Sequence, residues 1–429
     1  MRFFNPLLPP DVFVPDAEAH VWDDGRVYLY GSFDLPGQKS YCSGVYHVYS
    51  SDDLVNWTDH GVSFSLAATK DGWAADQGAL YAPDCAYRNG RYYLYYCVPD
   101  GRCGVAVSSS PAGPFEDCGP MDHVRGIDPA VMIDDDGQAW FYWGQFDRVR
   151  AAKLKDNMTE IDPDTAAQPL SVAEHEFHEG SSVKKIGGKY YYLFTDTHRH
   201  GGRATSLGYA VSDRPDRGFR YGGIVVDNFG CDPKTWNNHG SLCLFKGQWY
   251  VFYHRSTHAG EFSRHVCAEP VFFEEDGSIR EVRMTSGLFR GGETIPAYRS
   301  AELAGSVRIA GDAQSSWGYA LTEIRDGNRA LFRSVSFDGE DGFSLRTRSD
   351  KNCRAEVYLD GQYAGCAKIA PSDSFASVTG SLEHPVCGVR EAELRFFGED
   401  FTAALDALSF EKNPEPLTEA RLLNQNRTS

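Results

Sequence analysis

Apolar and polar residues alternate in short runs along most of the chain, and clear helical periodicity is lacking from its first 295 residues. Five of these runs are rich in aromatic residues, and each of the five follows a glycine. Alternating runs on both sides of a glycine are typical of two β-strands joined by a tight turn. The pattern therefore predicts five β-hairpins, with turn glycines at Gly25, Gly90, Gly137, Gly188 and Gly247.

The hairpins recur along the chain at similar intervals. Consecutive turn glycines are 65, 47, 51 and 59 residues apart, and repeats of roughly 40–50 residues with four short strands are typical of a β-propeller. After Pro296, short alternating strands are separated by Asp-Gly turns at residues 326–327 and 360–361, which indicates a β-sandwich. We therefore expect an all-β fold, with a five-bladed β-propeller over residues 1–296 and a β-sandwich over residues 297–429 that ends in a polar tail from residue 413.

One position of the repeat carries charged or titratable side chains. Nine residues before the first, third and fourth turn glycines stand Asp16, Asp128 and Glu179, and eight residues before the fifth stands His239. The second unit has Tyr81 at this place. An isolated acid at the start of a strand is usually a turn residue, but three acids in one register indicate a shared site. In a propeller these side chains would converge at one mouth of the central channel.

Three carboxylates in one depression repel one another, so their pKa values move apart. Such a set suits acid–base chemistry, in which one group stays protonated while another is ionised. Glycoside hydrolysis needs this pair, because one carboxylic acid protonates the leaving oxygen and one carboxylate activates water. Trp73 and Phe33 could supply flat faces for a sugar ring. A propeller that binds sugar without cleaving it is the alternative.

The composition narrows the choice of partners and compartment. A formal charge of −18 argues against a nucleic-acid binder and against adsorption to anionic membranes. The N-terminal sequence has no apolar signal-peptide region, and the 11 cysteines contain no CxxC pair, so we expect a cytoplasmic protein with reduced thiols. The oligomeric state stays open.

Five motifs resemble those of the family 43 glycoside hydrolases, which are inverting enzymes with a five-bladed propeller. The resemblance spans nearly all of residues 10–290. Its motifs are Pro15-Asp16-Ala17-Glu18-Ala19-His20, Tyr81-Ala82-Pro83-Asp84, Gly126-Ile127-Asp128-Pro129-Ala130-Val131, His178-Glu179-Gly180-Ser181-Ser182 and Asn238-His239-Gly240-Ser241.

The resemblance implies a role for each matched residue. Asp16 would be the general base that activates water, and Glu179 the general acid. Asp128 would tune the pKa of the acid and hold its orientation. His239 resembles an axial histidine that in several members binds a calcium ion or its water shell, and Arg264 resembles an arginine that reaches the sugar. The two aromatic residues named above would form walls of the subsite for the terminal sugar, and the chemistry itself would need no cofactor.

The resemblance also implies a substrate class. Most relatives cleave α-L-arabinofuranosyl or β-D-xylosyl linkages, so we expect an exo-hydrolase that removes such terminal units from plant-type oligosaccharides. Branches that cleave galactofuranosides or galactan remain open, particularly because Tyr81 replaces a common tryptophan. The second domain resembles family 6 carbohydrate-binding modules at residues 324–328 and 405–410. Its segment 373–378 lacks tryptophan, which favours a mainly structural role over glycan binding.

Overall fold

Five antiparallel sheets follow one another along the chain in a computed structural model that describes residues 2–257 and 260–412. Each sheet has three or four strands that pair in chain order, as the blades of a propeller do. The expected tail from residue 413 lies outside the described residues. The strands are β1 Glu18–Val21, β2 Val27–Tyr30, β3 Val45–Ser51 and β4 Trp57–Ser65 in blade one; β5 Asp84–Arg88, β6 Arg91–Cys97, β7 Arg102–Ser108 and β8 Glu116–Arg125 in blade two; β9 Ala130–Ile133, β10 Ala139–Trp143 and β11 Arg150–Lys153 in blade three; β12 Phe177–Ile186, β13 Lys189–Asp196, β14 Ser206–Ser212 and β15 Arg220–Asp227 in blade four; and β16 Ser241–Phe245, β17 Gln248–Thr257 and β18 Gly260–Val271 in blade five.

The first two strands of every blade form the predicted hairpins. Gly25 and Gly188 illustrate the turns: their φ angles are 74° and 82°, in the left-handed region that a side chain disfavours. Within the described residues, helical structure is confined to single turns, namely α1 Val172–His175 and the 3₁₀ turns Leu66–Ala68, Lys70–Gly72, Phe146–Arg148, Pro163–Thr165 and Ala297–Arg299. None of the helices in the described residues has the length and hydropathy needed to cross a lipid bilayer.

The aromatic second strands fill the space between neighbouring blades. Tyr95 of β6 packs on Phe141 of β10 with ring centroids 5.4 Å apart. Tyr142 of β10 meets Tyr192 of β13 edge to face at 5.5 Å. Five clusters of buried side chains lie in this way between successive blades, including the pair formed by blades five and one. The predicted five-bladed propeller is confirmed.

The N-terminal segment joins the last blade to the first. The Asn5 amide donates to the Ala268 carbonyl at 2.8 Å and accepts from the Ala268 N–H at 2.9 Å. The Leu7 N–H donates to the Val266 carbonyl at 3.0 Å. Because Phe3 and Leu7 belong to the cluster shared by blades one and five, this segment helps to close the ring.

The described residues divide into two compact units: the first comprises residues 2–257, 260–287, 301–304 and 308–310, and the second comprises residues 288–300, 305–307 and 311–412. In the second unit, the long strands β24 (Arg329–Ser349) and β27 (Ser372–Gly398) pair with each other, with several register shifts. This β structure is consistent with the predicted sandwich, whereas the domain boundary at residue 296 stays a prediction. The remaining strands of the described chain are β19 Phe289–Arg290, β20 Ile295–Pro296, β21 Glu302–Ala304, β22 Arg308–Gly311, β23 Tyr319–Ile324, β24 Arg329–Ser349, β25 Cys353–Leu359, β26 Gln362–Ile369, β27 Ser372–Gly398 and β28 Ala403–Glu411.

Candidate active site

The residues that share one register of the repeat meet in a cavity of about 460 Å³. Asp16, Asp128 and His239 each lie two residues before the first strand of their blade, and Glu179 is the third residue of β12. All four line the cavity. Asp16 and Asp128 have φ angles of 57° and 55°, a left-handed conformation that costs a non-glycine residue roughly 1–3 kcal/mol. Strained backbone of this kind is typical of functional sites, because the surrounding structure must hold the side chain in place.

Asp16 is held as an ionised carboxylate. Its Oδ1 accepts from Nη1 of Arg264 at 2.9 Å and its Oδ2 accepts from the Ser32 hydroxyl at 2.7 Å. The Nδ1 atom of His254 lies 3.3 Å from Oδ1. Burial alone would raise the pKa of Asp16, but the charge of Arg264 and the hydrogen bond and charge of His254 lower it well below its usual range. Asp16 therefore has the protonation state that a general base needs.

Arg264 connects Asp16 to a second buried carboxylate. Its Nε and Nη2 atoms donate to the two oxygens of Asp34, both at 2.9 Å, in the bidentate geometry that guanidinium groups favour. The side chains of Arg264 and Asp34 are 2% and 0% exposed, so this is a buried ion pair. Tyr41 lies over the guanidinium, with the arginine Cζ 4.7 Å from the ring centroid. The structure thus places Arg264 in the cavity wall and fixes its orientation from behind.

Glu179 and Asp128 form the second part of the site. The Gln145 amide donates to Oε2 of Glu179 at 2.6 Å, and the Asn237 amide lies 3.5 Å from Oε1. The backbone N–H of Gly180 donates to Oδ2 of Asp128 at 2.9 Å. This last bond ties the carboxylate of Asp128 to the residue that follows Glu179, so the two acids are held in a fixed relation.

Asp128 favours its protonated form. Burial raises the pKa of Asp128 well above its usual range, and the charges of Glu179 and Asp16 raise it further. The site therefore contains carboxyls of opposite tendency: the pKa of Asp16 is lowered, and that of Asp128 is raised.

The structure does not bring the two predicted aromatic walls to the cavity. Trp73 packs on Tyr96 in the core between blades one and two, and its indole N–H donates to Asp117 at 2.8 Å. Phe33 stacks on His47 with centroids 4.5 Å apart. Neither is among the described residues that line the cavity, so both predicted positions are corrected. Both side chains lie in loops, and the sequence does not show which position of the core a loop side chain occupies.

Other side chains occupy the wall instead. Tyr41 and Tyr81 line the cavity with the residues already described, as do Gln145 and Trp236. The tyrosine that replaces the common tryptophan of the second motif is therefore part of the wall, in agreement with its place in the repeat. His254 is another contact that the sequence did not predict, because a lone histidine in a buried strand carries no sequence signal of its own.

A repeated tetrapeptide could have revealed two of the missed hydrogen-bond donors. Residues 31–34 read Gly-Ser-Phe-Asp and residues 144–147 read Gly-Gln-Phe-Asp, each directly after an aromatic second strand. The second residue of each copy, Ser32 or Gln145, donates to one of the acids. Because the copies occupy equivalent places in blades one and three, their variable second position marks side chains that face the site.

Comparison with known proteins agrees with this geometry. The family model of the glycosyl hydrolases family 43 matches residues 3–279. The chain belongs to glycosyl hydrolase family 43. A "Xylosidase/arabinosidase" of Thermoclostridium stercorarium is 33% identical over 390 residues, which cover 79% of this chain and 78% of that protein. "Xylosidase/arabinosidase 43A" of Humicola insolens is 31% identical over 337 residues, which cover 64% of this chain and 98% of that protein.

A solved structure extends the comparison to three dimensions. A family 43 β-xylosidase/α-arabinofuranosidase from a compost microbial metagenome, in complex with xylotriose and in a calcium-free form, is 29% identical. It superposes with a TM-score of 0.57 over 65% of this chain and 97% of its own. The protein is therefore a glycoside hydrolase, and family 43 hydrolysis needs no cofactor because carboxyl groups supply both proton transfers.

The calcium ion expected at the axial His239 of this family 43 member can be tested against the residues present. Calcium prefers six to eight oxygen ligands. His239 offers an imidazole nitrogen, and burial lowers its pKa, which keeps the ring neutral. Within the described residues, the group of three ligand-type side chains close enough to share an ion is Glu18, His20 and Asp84, which does not include His239. The side chains at His239 therefore do not fit a directly coordinated calcium ion.

The Glu18 group already has a cation of its own. The Lys184 ammonium lies 2.6 Å from Oε1 of Glu18, and Nε2 of His20 lies 2.7 Å from Oδ1 of Asp84. Burial raises the pKa of Glu18 to about 8, although the charge of Lys184 lowers it and that of Asp84 raises it. These contacts connect the first strands of blades one, two and four, and burial lowers the pKa of His20, so its contact with Asp84 is a hydrogen bond of a neutral ring. No step of the chemistry described below requires a metal.

Proposed function

We propose that the protein is an inverting exo-glycoside hydrolase that removes terminal α-L-arabinofuranosyl or β-D-xylosyl units from plant-type oligosaccharides. The observation that carries the proposal is the contrast between the carboxyls in one cavity. Asp16 is held ionised by Arg264, whereas burial and the neighbouring carboxylates raise the pKa of Asp128, so a proton is favoured there. An inverting glycosidase needs these two states at the same time.

In the proposed reaction, Glu179 donates a proton to the oxygen of the scissile bond while Asp16 removes a proton from the attacking water. Water attacks the anomeric carbon from the face opposite the leaving group, and the configuration inverts. Gln145 orients Glu179, and the Gly180 N–H holds Asp128 next to it. Arg264 keeps Asp16 ionised at neutral pH, so that its carboxylate can accept the proton of the attacking water.

The cavity supports the exo mode and a small terminal sugar. Its volume of about 460 Å³ lies in the range of pockets for small ligands. The relatives named above as xylosidases and arabinosidases suggest which pentoses it accepts. A cytoplasmic location, expected from the scattered cysteines, remains part of this proposal.

A panel of nitrophenyl glycosides tests the proposal. The wild-type protein should hydrolyse the α-L-arabinofuranoside or the β-D-xyloside faster than the β-D-galactofuranoside. Faster cleavage of the galactofuranoside would overturn the sugar assignment. Asp16→Ala should lower turnover by several orders of magnitude on every accepted substrate, because the water then lacks its base.

Glu179→Ala separates the acid from the base. Nitrophenolate leaves with little help from a proton, whereas the alcohol of a sugar needs one. The Glu179 variant should therefore lose more activity on an oligosaccharide than on the nitrophenyl glycoside, and Asp16→Ala should lose a similar factor on both. An equal loss in the two substrates for Glu179→Ala would contradict its role as acid.

For the second unit, whose sequence favours a mainly structural role, we propose a carbohydrate contact outside residues 373–378. Phe375, within residues 373–378, lies beneath the guanidinium groups of Arg346 and Arg348 at 5.2 and 4.9 Å, so cations cover its ring. Trp317 is half-buried and lines a cavity of about 480 Å³ together with Arg346 and Glu411. An indole face beside charged hydrogen-bonding groups is a suitable surface for a sugar ring.

A further inference from the structure

Two exposed aromatic side chains lie beside the partners of Glu179. Trp236 lines the cavity and is 48% exposed. Phe146 is 46% exposed, and its ring meets the cavity-lining His178 edge to face with centroids 4.8 Å apart. Large aromatic rings that remain in solvent next to a pocket are typical of binding surfaces.

Each ring is the chain neighbour of a residue that contacts the carboxylate of Glu179. Phe146 follows Gln145, whose amide donates to Oε2 at 2.6 Å. Trp236 precedes Asn237, whose amide lies 3.5 Å from Oε1. Phe146 lies between β10 and β11 of blade three, and Trp236 lies in the connection between blades four and five.

The backbone and the neighbouring side chains hold both rings in place. Phe146 has a φ angle of 48°, which is unfavourable for a bulky residue, yet its side chain gains little burial in return. Trp236 contacts the guanidinium of Arg203, whose Cζ is 5.9 Å from its ring and 5.3 Å from the ring of Phe229. Phe229 in turn stacks on His200 at 3.8 Å, so planar groups that are not among the described lining residues continue from Trp236.

We propose that Trp236 and Phe146 form a leaving-group platform, a binding site for the neutral pyranose released on the acid side of the cleaved bond. The inference rests on the proposed function, because it requires Glu179 to be the acid. The proton donor must contact the glycosidic oxygen, so the sugar beyond that oxygen lies next to Glu179 and outside the pocket for the terminal unit. The flat faces of a xylopyranose ring suit such rings, and a planar guanidinium beside them adds hydrogen-bond donors.

Binding to an inactive protein tests the platform without involving proton transfer. In a Glu179→Gln background, calorimetry would compare the affinities for a free pentose and for an oligosaccharide that ends in it. The ligands are xylose and xylobiose, or arabinose and arabinofuranosyl-xylobiose, according to the sugar that the glycoside panel identifies. We expect the oligosaccharide to bind more tightly than the pentose, and Trp236→Ala to reduce this ratio of affinities roughly tenfold. Phe146→Ala should reduce it by a smaller factor, and Trp236→Phe should restore part of the loss.

Phe272→Ala is the matched control. Phe272 is 49% exposed and is not among the described residues that line the cavity, so its removal should leave the ratio unchanged. An unchanged ratio in Trp236→Ala, or an equal fall for pentose and oligosaccharide, would overturn the platform while leaving the proposed function intact. If Glu179→Gln bound neither ligand and the wild-type protein cleaved no pentoside, the proposed function itself would fail.

Discussion

Arg264→Met removes the buried cation that Asp16 and Asp34 share. Methionine keeps much of the length and apolar character of the side chain, so the change is mainly one of charge and hydrogen bonding. Arg264 makes three side-chain hydrogen bonds of 2.9 Å to these carboxylates. In the variant, Asp34 is a fully buried carboxylate without its bidentate partner.

The cost follows from the burial of the pair. Loss of one partner of a buried ion pair destabilises a protein by about 3–5 kcal/mol. For a unit of this size, such a loss lowers Tm by roughly ten degrees. A second substitution, Asp34→Asn, removes the uncompensated charge, so the double variant should be more stable than Arg264→Met alone.

The effect of Arg264→Met on catalysis has a different origin, so the second substitution, Asp34→Asn, should not reverse it. Without Arg264 the burial of Asp16 is opposed mainly by His254, so the pKa of Asp16 rises toward or above its usual value. The acid limb of the pH profile of kcat/KM should therefore move to higher pH in Arg264→Met and in the double variant with Asp34→Asn.

The same shift predicts how stability depends on pH. In the wild-type protein the folded pKa of Asp16 is lower than the unfolded value of about 3.9. Its contribution to stability is therefore present above about pH 4 and is lost as the pH falls below that value. The difference in stability between the wild-type protein and Arg264→Met should be constant at neutral pH and should narrow in acid.

Urea denaturation and pH-rate profiles measure both effects. Arg280→Met is a matched control, because Arg280 forms a 2.7 Å contact with Glu274 while its side chain is 62% exposed. This surface change should leave Tm and the pH profile essentially unchanged. If Arg264→Met retained the wild-type acid limb, Arg264 would not keep Asp16 ionised; if the double variant were no more stable than the single one, Asp34 would not be the source of the instability.

Three further predictions concern other parts of the molecule. Gln145→Ala should lower kcat roughly tenfold or more and alter the alkaline limb of the pH profile with little change in KM, because Glu179 loses a hydrogen bond; steady-state kinetics showing an unchanged limb would argue against this orienting role. Lys184→Met should lower Tm more at pH 9 than at pH 5, because Lys184 stabilises the ionised form of Glu18, whose pKa is about 8, and makes no ion pair with the protonated carboxyl at pH 5; thermal scans with equal losses at the two pH values would contradict the pairing. Trp317→Ala should reduce the retardation of the protein in gels that contain arabinoxylan while hydrolysis of nitrophenyl glycosides stays unchanged; equal retardation of the two proteins would rule out this contact.

The positions of the acids could be predicted because the hairpin fixes the register. The turn glycine fixes which residues of the first and second strands of a hairpin pair with each other. The residues nine positions before Gly25, Gly137 and Gly188 are therefore equivalent, and they are Asp16, Asp128 and Glu179. A local pattern therefore indicated a site assembled from four blades, because every blade repeats the same local geometry.

The partners of the acids were harder to predict, because different blades supply them. Gln145 contacts an acid of the next blade, and Arg264 joins two carboxylates more than two hundred residues away in sequence. Such pairs depend on how the blades pack and not on local periodicity. The predicted position of Trp73 was wrong because its indole N–H donates to Asp117 and its ring packs on a core tyrosine, so the side chain does not line the cavity.

The stereochemistry of the first product tests the central claim most directly. Proton NMR can follow the anomeric signal during hydrolysis of an arabinofuranosyl or xylosyl oligosaccharide before mutarotation mixes the anomers. If Asp16 activates water while Glu179 protonates the leaving oxygen, the α-L-arabinofuranoside should first release β-arabinose, or the β-D-xyloside α-xylose. First appearance of the retained anomer would contradict this mechanism, because it would require a covalent intermediate on one of the carboxylates.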